Sequence, residues 1–325
     1  VTIEGRTVLV QAWKYDVKSL AGGTVSVLFL DTDLEENSSE DREITHFLYG
    51  GDQRYRLKQE VVLGVGGVRM LHGIGVPVKK YHMNEGHASL LTLELLLRTK
   101  KNIEDVWDER EVWDHEAVRD LCVFTTHTPV AAGHDRFPYD MASEILGDLI
   151  DPDVLKSLGG EDQLNMTFLA LNLSDYVNGV AKKHRDVSEN MFHGYRINAI
   201  TNGVHTFTWT SEPFRKLYDK YLPGWANEPE LFVRVDNVPD TAVWEAHQSA
   251  KRSLLDLVRD RTGVLMEAET LTIGFARRAA PYKRLDMLFS DPDRLRKISG
   301  GRLQLVFAGK AHPHDQAGKE LIQRV

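Results

Sequence analysis

The seven residues Arg277-Arg278-Ala279-Ala280-Pro281-Tyr282-Lys283 place three cations between an apolar run and the expected start of a helix. Side-chain charge and helix dipole would then converge on one anion, and a phosphate is the natural guest. The competing reading pairs these cations with carboxylates across a domain interface. Other polar groups also follow apolar runs: Asn84-Glu85-Gly86-His87, Thr126-His127-Thr128-Pro129, Thr201-Asn202-Gly203 and Gly309-Lys310-Ala311-His312-Pro313-His314. In an open parallel sheet, ligands bind just beyond the carboxyl ends of the strands, so these are the positions to inspect. A neutral His127 there can hydrogen-bond a substrate hydroxyl, or it can be a core histidine bonded to a carbonyl. Asn202 is a polar contact at a third strand end, or merely the turn residue before Gly203.

Other chemistries find little support. His82/Glu85/His87, His127/His134/Asp135 and His312/His314/Asp315 contain metal-ligand types, but none has the HExxH or CxxC spacing that presents ligands on one face, and no metal is expected. There is no Gly-x-Ser-x-Gly elbow, and Cys122 lies in an apolar run, so covalent acyl chemistry lacks a nucleophile. Gly64, Gly66 and Gly67 without a following Lys-Ser/Thr are a weak phosphate-loop signal.

The elements that must position these residues read as α/β. Thr7–Val17 and Val25–Leu30 suggest strands around Gly22-Gly23, residues 34–42 a polar loop, and Gln59–Ile74 a closely packed helix. From Val76 the βαβ rhythm of a parallel sheet begins: a strand over Val76–Met83, a helix over His87–Lys100, a strand over Leu121–Thr126. The 3–4 spacing of Met166, Leu169, Ala170, Leu173, Val177 and Val180 predicts one helix over Asn165–Lys183, and Ile197–Ile200 is the next strand. A long amphipathic helix is expected over Thr241–Arg261, stopped by Gly263. Strands at Leu271–Ala276 and Leu303–Ala308 flank the basic loop and a helix to about Leu288, and their offset fits the ~30 residues of one βαβ unit.

With 325 residues the chain is long enough for about two domains on a prior of ~150 residues each. Its apolar runs fall short of the ~20 residues of a membrane span, and no membrane association is expected. A net charge of −8 excludes a nucleic-acid-wrapping protein, although residues 270–325 carry 11 basic against 5 acidic residues. The lone Cys122 cannot form an intrachain disulfide and reads as a buried apolar group in a reducing, cytoplasmic setting. Val1-Thr2-Ile3-Glu4-Gly5-Arg6 is neither an initiator Met nor a signal peptide, so a piece of a longer chain is expected.

At these same residues the chain resembles the α-glucan phosphorylases, the glycogen/starch/maltodextrin phosphorylase family. The blocks that carry the resemblance occur in order over residues 53–325. They are Tyr55-Arg-Leu-Lys-Gln-Glu60, His82-Met-Asn-Glu-Gly-His87, Thr125-Thr-His-Thr128, Asn165-Met166 with Val177-Asn-Gly-Val-Ala-Lys182, Thr201-Asn-Gly-Val204, Arg277-Arg278 through Tyr282-Lys-Arg284, and Phe307-Ala-Gly-Lys-Ala311.

The resemblance implies two Rossmann-like domains facing a cleft, the type B glycosyltransferase fold, both incomplete here. Residues 1–204 would be the end of a glucan-binding domain, 205–268 a linker with connecting helices, and 269–325 the start of a phosphate and cofactor domain. It implies phosphorolysis of terminal α-1,4-glucosyl residues to glucose 1-phosphate, with pyridoxal phosphate acting through its phosphate as acid and base. Glucan or maltodextrin and inorganic phosphate are the implied partners, and a homo-oligomer stays open. By motif position, Arg278 and Lys283 hold the substrate phosphate and Arg277 faces the cofactor phosphate. His127 bonds the glucosyl unit, while Asn202, Val180 and His87 contribute to the sugar pocket.

Two departures matter. Ala280-Pro281 stands where longer family members have His-Glu, and Glu85-Gly86-His87-Ala88 where they have Asp-Thr-His-Pro, which points to divergent bacterial or archaeal forms. The family's upstream glycine-rich phosphate loop and its Glu-x-Ser-Gly…Asn-Met-Lys block, whose lysine carries the cofactor, do not occur in these residues. The chain alone is therefore expected to be inactive. The rival readings are a non-catalytic or partial glucan-binding piece and a retaining glycosyltransferase using a nucleotide sugar.

Overall fold

The structure, a computed structural model, describes residues 1–19, 22–48, 51–311 and 315–325. They form two units, Val1–Gly203 and Val204–Val325. Near its start the first unit has an antiparallel pair of β1 (Gln11–Lys18) and β2 (Thr24–Asp31), running from Gln11↔Asp31 to Lys18↔Thr24. β1 starts later than its apolar pattern suggests. Val8 is fully buried with its N–H on Val1 O, and Arg6–Thr7 is taken up in a separate short ribbon with Thr2–Ile3. Residues 34–42 are not all loop: Ser38 caps a helical turn over Ser39–Arg42, its Oγ accepting from Asp41 N at 3.2 Å. The polar residues that suggest a loop are equally suited to a helix start.

The glycine-rich stretch is helical and begins at Gln53. A helix over Gln53–Val61 runs into a π-helical turn, Val62–Gly66, and on into a helix over Gly67–Gly73. Gly64 explains the composition. A Cβ at that position would lie 2.7 Å from the backbone N of Leu91, so the glycine lets this helix approach the one over Leu91–Arg98. That second helix is buried around most of its circumference. Its Glu94 is balanced by Arg69 Nε and Arg98 Nε, each donating at 2.9 Å, which is what permits a carboxylate there.

Four parallel strands form the main sheet in the sequential order β3 (Tyr81–Asn84), β4 (Cys122–Thr126), β5 (Tyr176–Gly179) and β6 (Asn198–Ala199). Met83, Cys122 and Phe124 are fully buried within one core cluster. β3 starts at Tyr81 rather than Val76 because Val76 N–H is spent on Leu71 O and Pro77 has no N–H to give. The single helix expected over Asn165–Lys183 is corrected by the structure. It is a helix over Met166–Asn172, the strand β5, and a second helix over Lys182–Met191. Asp175 N–H bonds Cys122 O at 3.2 Å, and this contact recruits the chain into the sheet before the apolar spacing can continue as helix.

In the second unit the helix over Asp240–Thr262 ends at Gly263, whose φ of 73° supplies the left-handed cap. Trp225 is buried against Phe207, Tyr218 and Phe232, its indole N–H on Asp219 Oδ1 at 2.8 Å. β7 (Leu271–Ala276) and β8 (Leu303–Ala308) pair in parallel residue by residue, from Leu271↔Leu303 to Ala276↔Ala308, with a helix over Pro292–Ser299 between them. The helix expected after Lys283 is absent. Only two 3₁₀ turns occur there, Pro281–Lys283 and Met287–Phe289, separated by Arg284 at φ 54°. No helix among the described residues is long and apolar enough to cross a membrane.

Candidate functional site

The carboxyl edge of the main sheet is built by tight backbone continuation. Glu85 N–H bonds Thr125 O at 2.9 Å, Ile200 N–H bonds Gly179 O at 3.0 Å, and Asn202 N–H bonds Val180 O at 3.0 Å. One step inside the edge, a side-chain line ties three strands: His82 Nε2 to Thr125 Oγ1 at 2.7 Å, then Thr125 Oγ1 to Asn178 Oδ1 at 3.0 Å. His127, Val180 and Asn202, from three successive strand ends, are thereby placed along one edge. His127 and Asn202 are exposed. The core-histidine reading is thus set aside, and Asn202 makes no side-chain hydrogen bond of the kind a turn cap would show among the described residues.

Glu85 has a backbone that an L-residue rarely adopts, φ 65° and ψ 176°, in a region that is essentially glycine's and costs about 1–3 kcal/mol. Its carboxylate turns back to the neighbouring strand: Oε1 accepts from Thr126 Oγ1 at 3.3 Å and from the backbone N–H of His127. Gly86 follows where a Cβ would come within 3.1 Å of Met166 Cβ, so the turn is squeezed against the start of the next helix.

Behind this edge His87 belongs to a cluster whose members come from three separate stretches: Arg56 and Glu60 on the helix over Gln53–Val61, His87 itself, and Asp135. His87 Nδ1 and Arg56 Nη2 both lie 3.0 Å from Asp135 Oδ2, and Arg56 Nε stands 3.0 Å from the buried Glu60 Oε1. Arg56 Nη2 also sits 2.6 Å from His87 Nδ1. A guanidinium can only donate, so this contact competes with the Nδ1–H bond to Asp135, and the ionic bond to the carboxylate is the stronger claim on that nitrogen. Burial pushes the Glu60 carboxyl up to about 8. The hydrogen bond to Asp135, then that to Glu60, lifts His87 to about 9. Burial works to raise Asp135, but its hydrogen bonds to His87 and Glu60 and the charge of Arg56 outweigh it and hold the carboxyl far below its ordinary value.

Glu60, His87 and Asp135 could each offer a ligand atom within 4.8 Å of the others, a grouping that sequence spacing did not suggest. Arg56 already supplies the cation there, and protons on Glu60 and His87 leave one carboxylate among several positive groups, an arrangement that disfavours a further cation. A cavity of about 700 Å³ adjoins the cluster, and its lining includes Arg56, Glu60 and His87 together with Leu28, Leu63 and Leu91. Thus His87 is engaged within the protein rather than free at the edge. Arg56, Glu60 and Asp135 were missed as a set because their only local signal is the i, i+4 pair in Tyr55–Glu60.

In the second unit the basic loop is zipped to the next strand end. Arg277 N–H bonds Ala308 O and Ala279 N–H bonds Lys310 O, each at 3.1 Å. A Cβ on Gly309 would stand 2.1 Å from Arg277 O, so only glycine allows this approach. Arg277 and Arg278 are exposed, and among the described residues neither pairs with a carboxylate. Lys283 lies over the Tyr282 ring at 4.6 Å. With only a 3₁₀ turn following, the anion would meet side-chain charge without a helix dipole. His312, Pro313 and His314 of the neighbouring strand-end group lie outside the described residues.

No family model matches the chain. A maltodextrin phosphorylase of Thermococcus litoralis is 37% identical over all of this chain and 42% of its own length. A glycogen phosphorylase of Aquifex aeolicus is 34% identical over all of this chain and 51% of its own, and one of Mycobacterium tuberculosis is 35% identical over 93% of this chain and 40% of its own. The chain spans about half the length of the relatives it matches. The ordered blocks, the parallel α/β strand ends that carry them, and this likeness along the chain agree: over all or nearly all of its length the chain is similar to part of the glycogen and maltodextrin phosphorylases.

Proposed function

We propose that the protein to which this chain belongs is an α-1,4-glucan phosphorylase, which cleaves terminal glucosyl residues with inorganic phosphate to give glucose 1-phosphate. Residues 1–204 serve the glucan, residues 205–268 connect, and residues 269–325 serve phosphate and cofactor. His127 hydrogen-bonds the glucosyl unit, with Asn202, Val180 and His87 shaping its pocket. Arg278 and Lys283 hold the substrate phosphate. The observation that carries the reading is the cation loop at the end of β7, whose two arginines have no carboxylate partner among the described residues. Cations left unneutralised at a strand end suit a dianion.

The same loop fits the phosphate of pyridoxal phosphate. The Arg277 guanidinium is exposed and, among the described residues, has no carboxylate partner, and its backbone is held against the next strand end at Gly309. When bound, that cofactor supplies a phosphate able to give and take a proton at the reacting phosphate. Arg277 would hold it, and Arg278 and Lys283 would orient the substrate anion and offset its charge. A cytoplasmic location suits this chemistry. The test is glucose 1-phosphate release from maltodextrin and inorganic phosphate by the full-length protein. Glucosyl transfer to glucan only from a nucleotide sugar, with release of the nucleoside diphosphate, or no reaction in either assay, would replace this reading with one of its rivals.

A further inference from the structure

We propose that Glu85 is the positioning residue for His127, acting through its carboxylate on the backbone of the neighbouring strand end; this rests on the reading of His127 as a glucosyl contact. Glu85 is nine-tenths buried at the end of β3, yet holds φ 65° and ψ 176°. Such a conformation persists only where the surroundings over-determine it, and it turns the side chain from its own strand toward β4. There one oxygen, Oε1, collects both the His127 N–H and the Thr126 hydroxyl. His127 is the first residue past β4 and is exposed, and among the described residues its N–H goes to the Glu85 carboxylate rather than to a ladder carbonyl.

Without the carboxylate, the His127 amide has no described acceptor and the residue is free to swing. A displacement of ~1 Å at a substrate contact can cost ~100-fold in rate.

Two variants separate the carboxylate from the strain. Glu85→Gly relieves the backbone but removes the acceptor, and Glu85→Gln keeps an acceptor oxygen. In the 325-residue chain, amide exchange at His127, followed by NMR, should quicken at least about tenfold in Glu85→Gly and stay near wild type in Glu85→Gln. In the full-length protein, Glu85→Gly should lower kcat for maltodextrin phosphorolysis about 10- to 100-fold with little change in the KM for phosphate, and Glu85→Gln should restore most of it. Unchanged His127 exchange in Glu85→Gly overturns the contact. Faster exchange with unchanged kcat overturns the positioning role. A His127→Ala variant with full activity would instead remove the reading of His127 itself, and the exchange result would still stand.

Discussion

His87 Nδ1 and Asp135 Oδ2 lie 3.0 Å apart, joining the turn after β3 to a residue 48 positions later in the chain. Their protonation is linked to that of Glu60, and the sign of the pH dependence follows from where each proton sits. His87 holds its proton up to about 9 when folded, against an ordinary value of 6.5. Its contribution is complete below pH 6.5 and is lost as pH rises to 9. Glu60, pushed up by burial to about 8 from 4.5, adds a loss of the same sign between pH 4.5 and 8. Asp135 is shifted the other way and stabilises above its ordinary value of 3.8, losing that contribution as pH falls below it. Urea melts at pH 6, 7, 8 and 9 should therefore show falling stability, and His87→Gln should flatten the part above pH 6.5. A wild-type stability that is level or rising across that range contradicts the assignment.

Arg278→Ala and Lys283→Ala should each weaken phosphate use in the full-length protein, since a lost charge-assisted contact is worth about 1.5–3 kcal/mol. The expected readout is a phosphate KM raised roughly 10- to 100-fold with the glucan KM little changed. Because neither group has a described carboxylate partner, thermal stability should be unaffected. Wild-type phosphate kinetics in both variants would remove them from the phosphate site.

His127→Ala and Asn202→Ala should impair glucan handling while leaving the absorbance and fluorescence of bound pyridoxal phosphate as in the wild type. Both side chains are exposed at the sheet edge, so the loss should come without unfolding. If the cofactor signal or the melting transition were lost in both, structural roles would be indicated instead.

Gly64→Ala tests the packing that supports the site. Its Cβ would stand 2.7 Å from Leu91 N and 3.0 Å from the Leu90 carbonyl carbon, both backbone atoms that cannot rotate away. A cost of about 1–3 kcal/mol is expected. Gly73→Ala, with nothing within 4 Å of the new methyl, should be neutral or stabilising by about 0.4–1 kcal/mol. Guanidinium midpoints at constant slope would measure both, and equal midpoints would mean that the helix at Leu91 yields.

What could be read from the residues alone was what neighbours in the chain enforce. β7 and β8 lie on the expected residues, the helix stopped by Gly263 ends at its left-handed glycine, and the polar groups at His127 and Asn202 sit at strand ends. Apolar runs, caps and turns act within a few residues, so they are visible in sequence. β5 was not, because Val177 and Val180 continue a helical spacing. Only hydrogen bonds to β4 on one side and β6 on the other, across gaps of about 50 and 20 residues, make four of those residues a strand. The Arg56–Glu60–His87–Asp135 cluster and the turn of Glu85 toward His127 likewise depend on packing between distant segments. The desolvation that shifts Glu60 and the opposing contacts that hold Glu85 in a glycine conformation exist only once those segments meet.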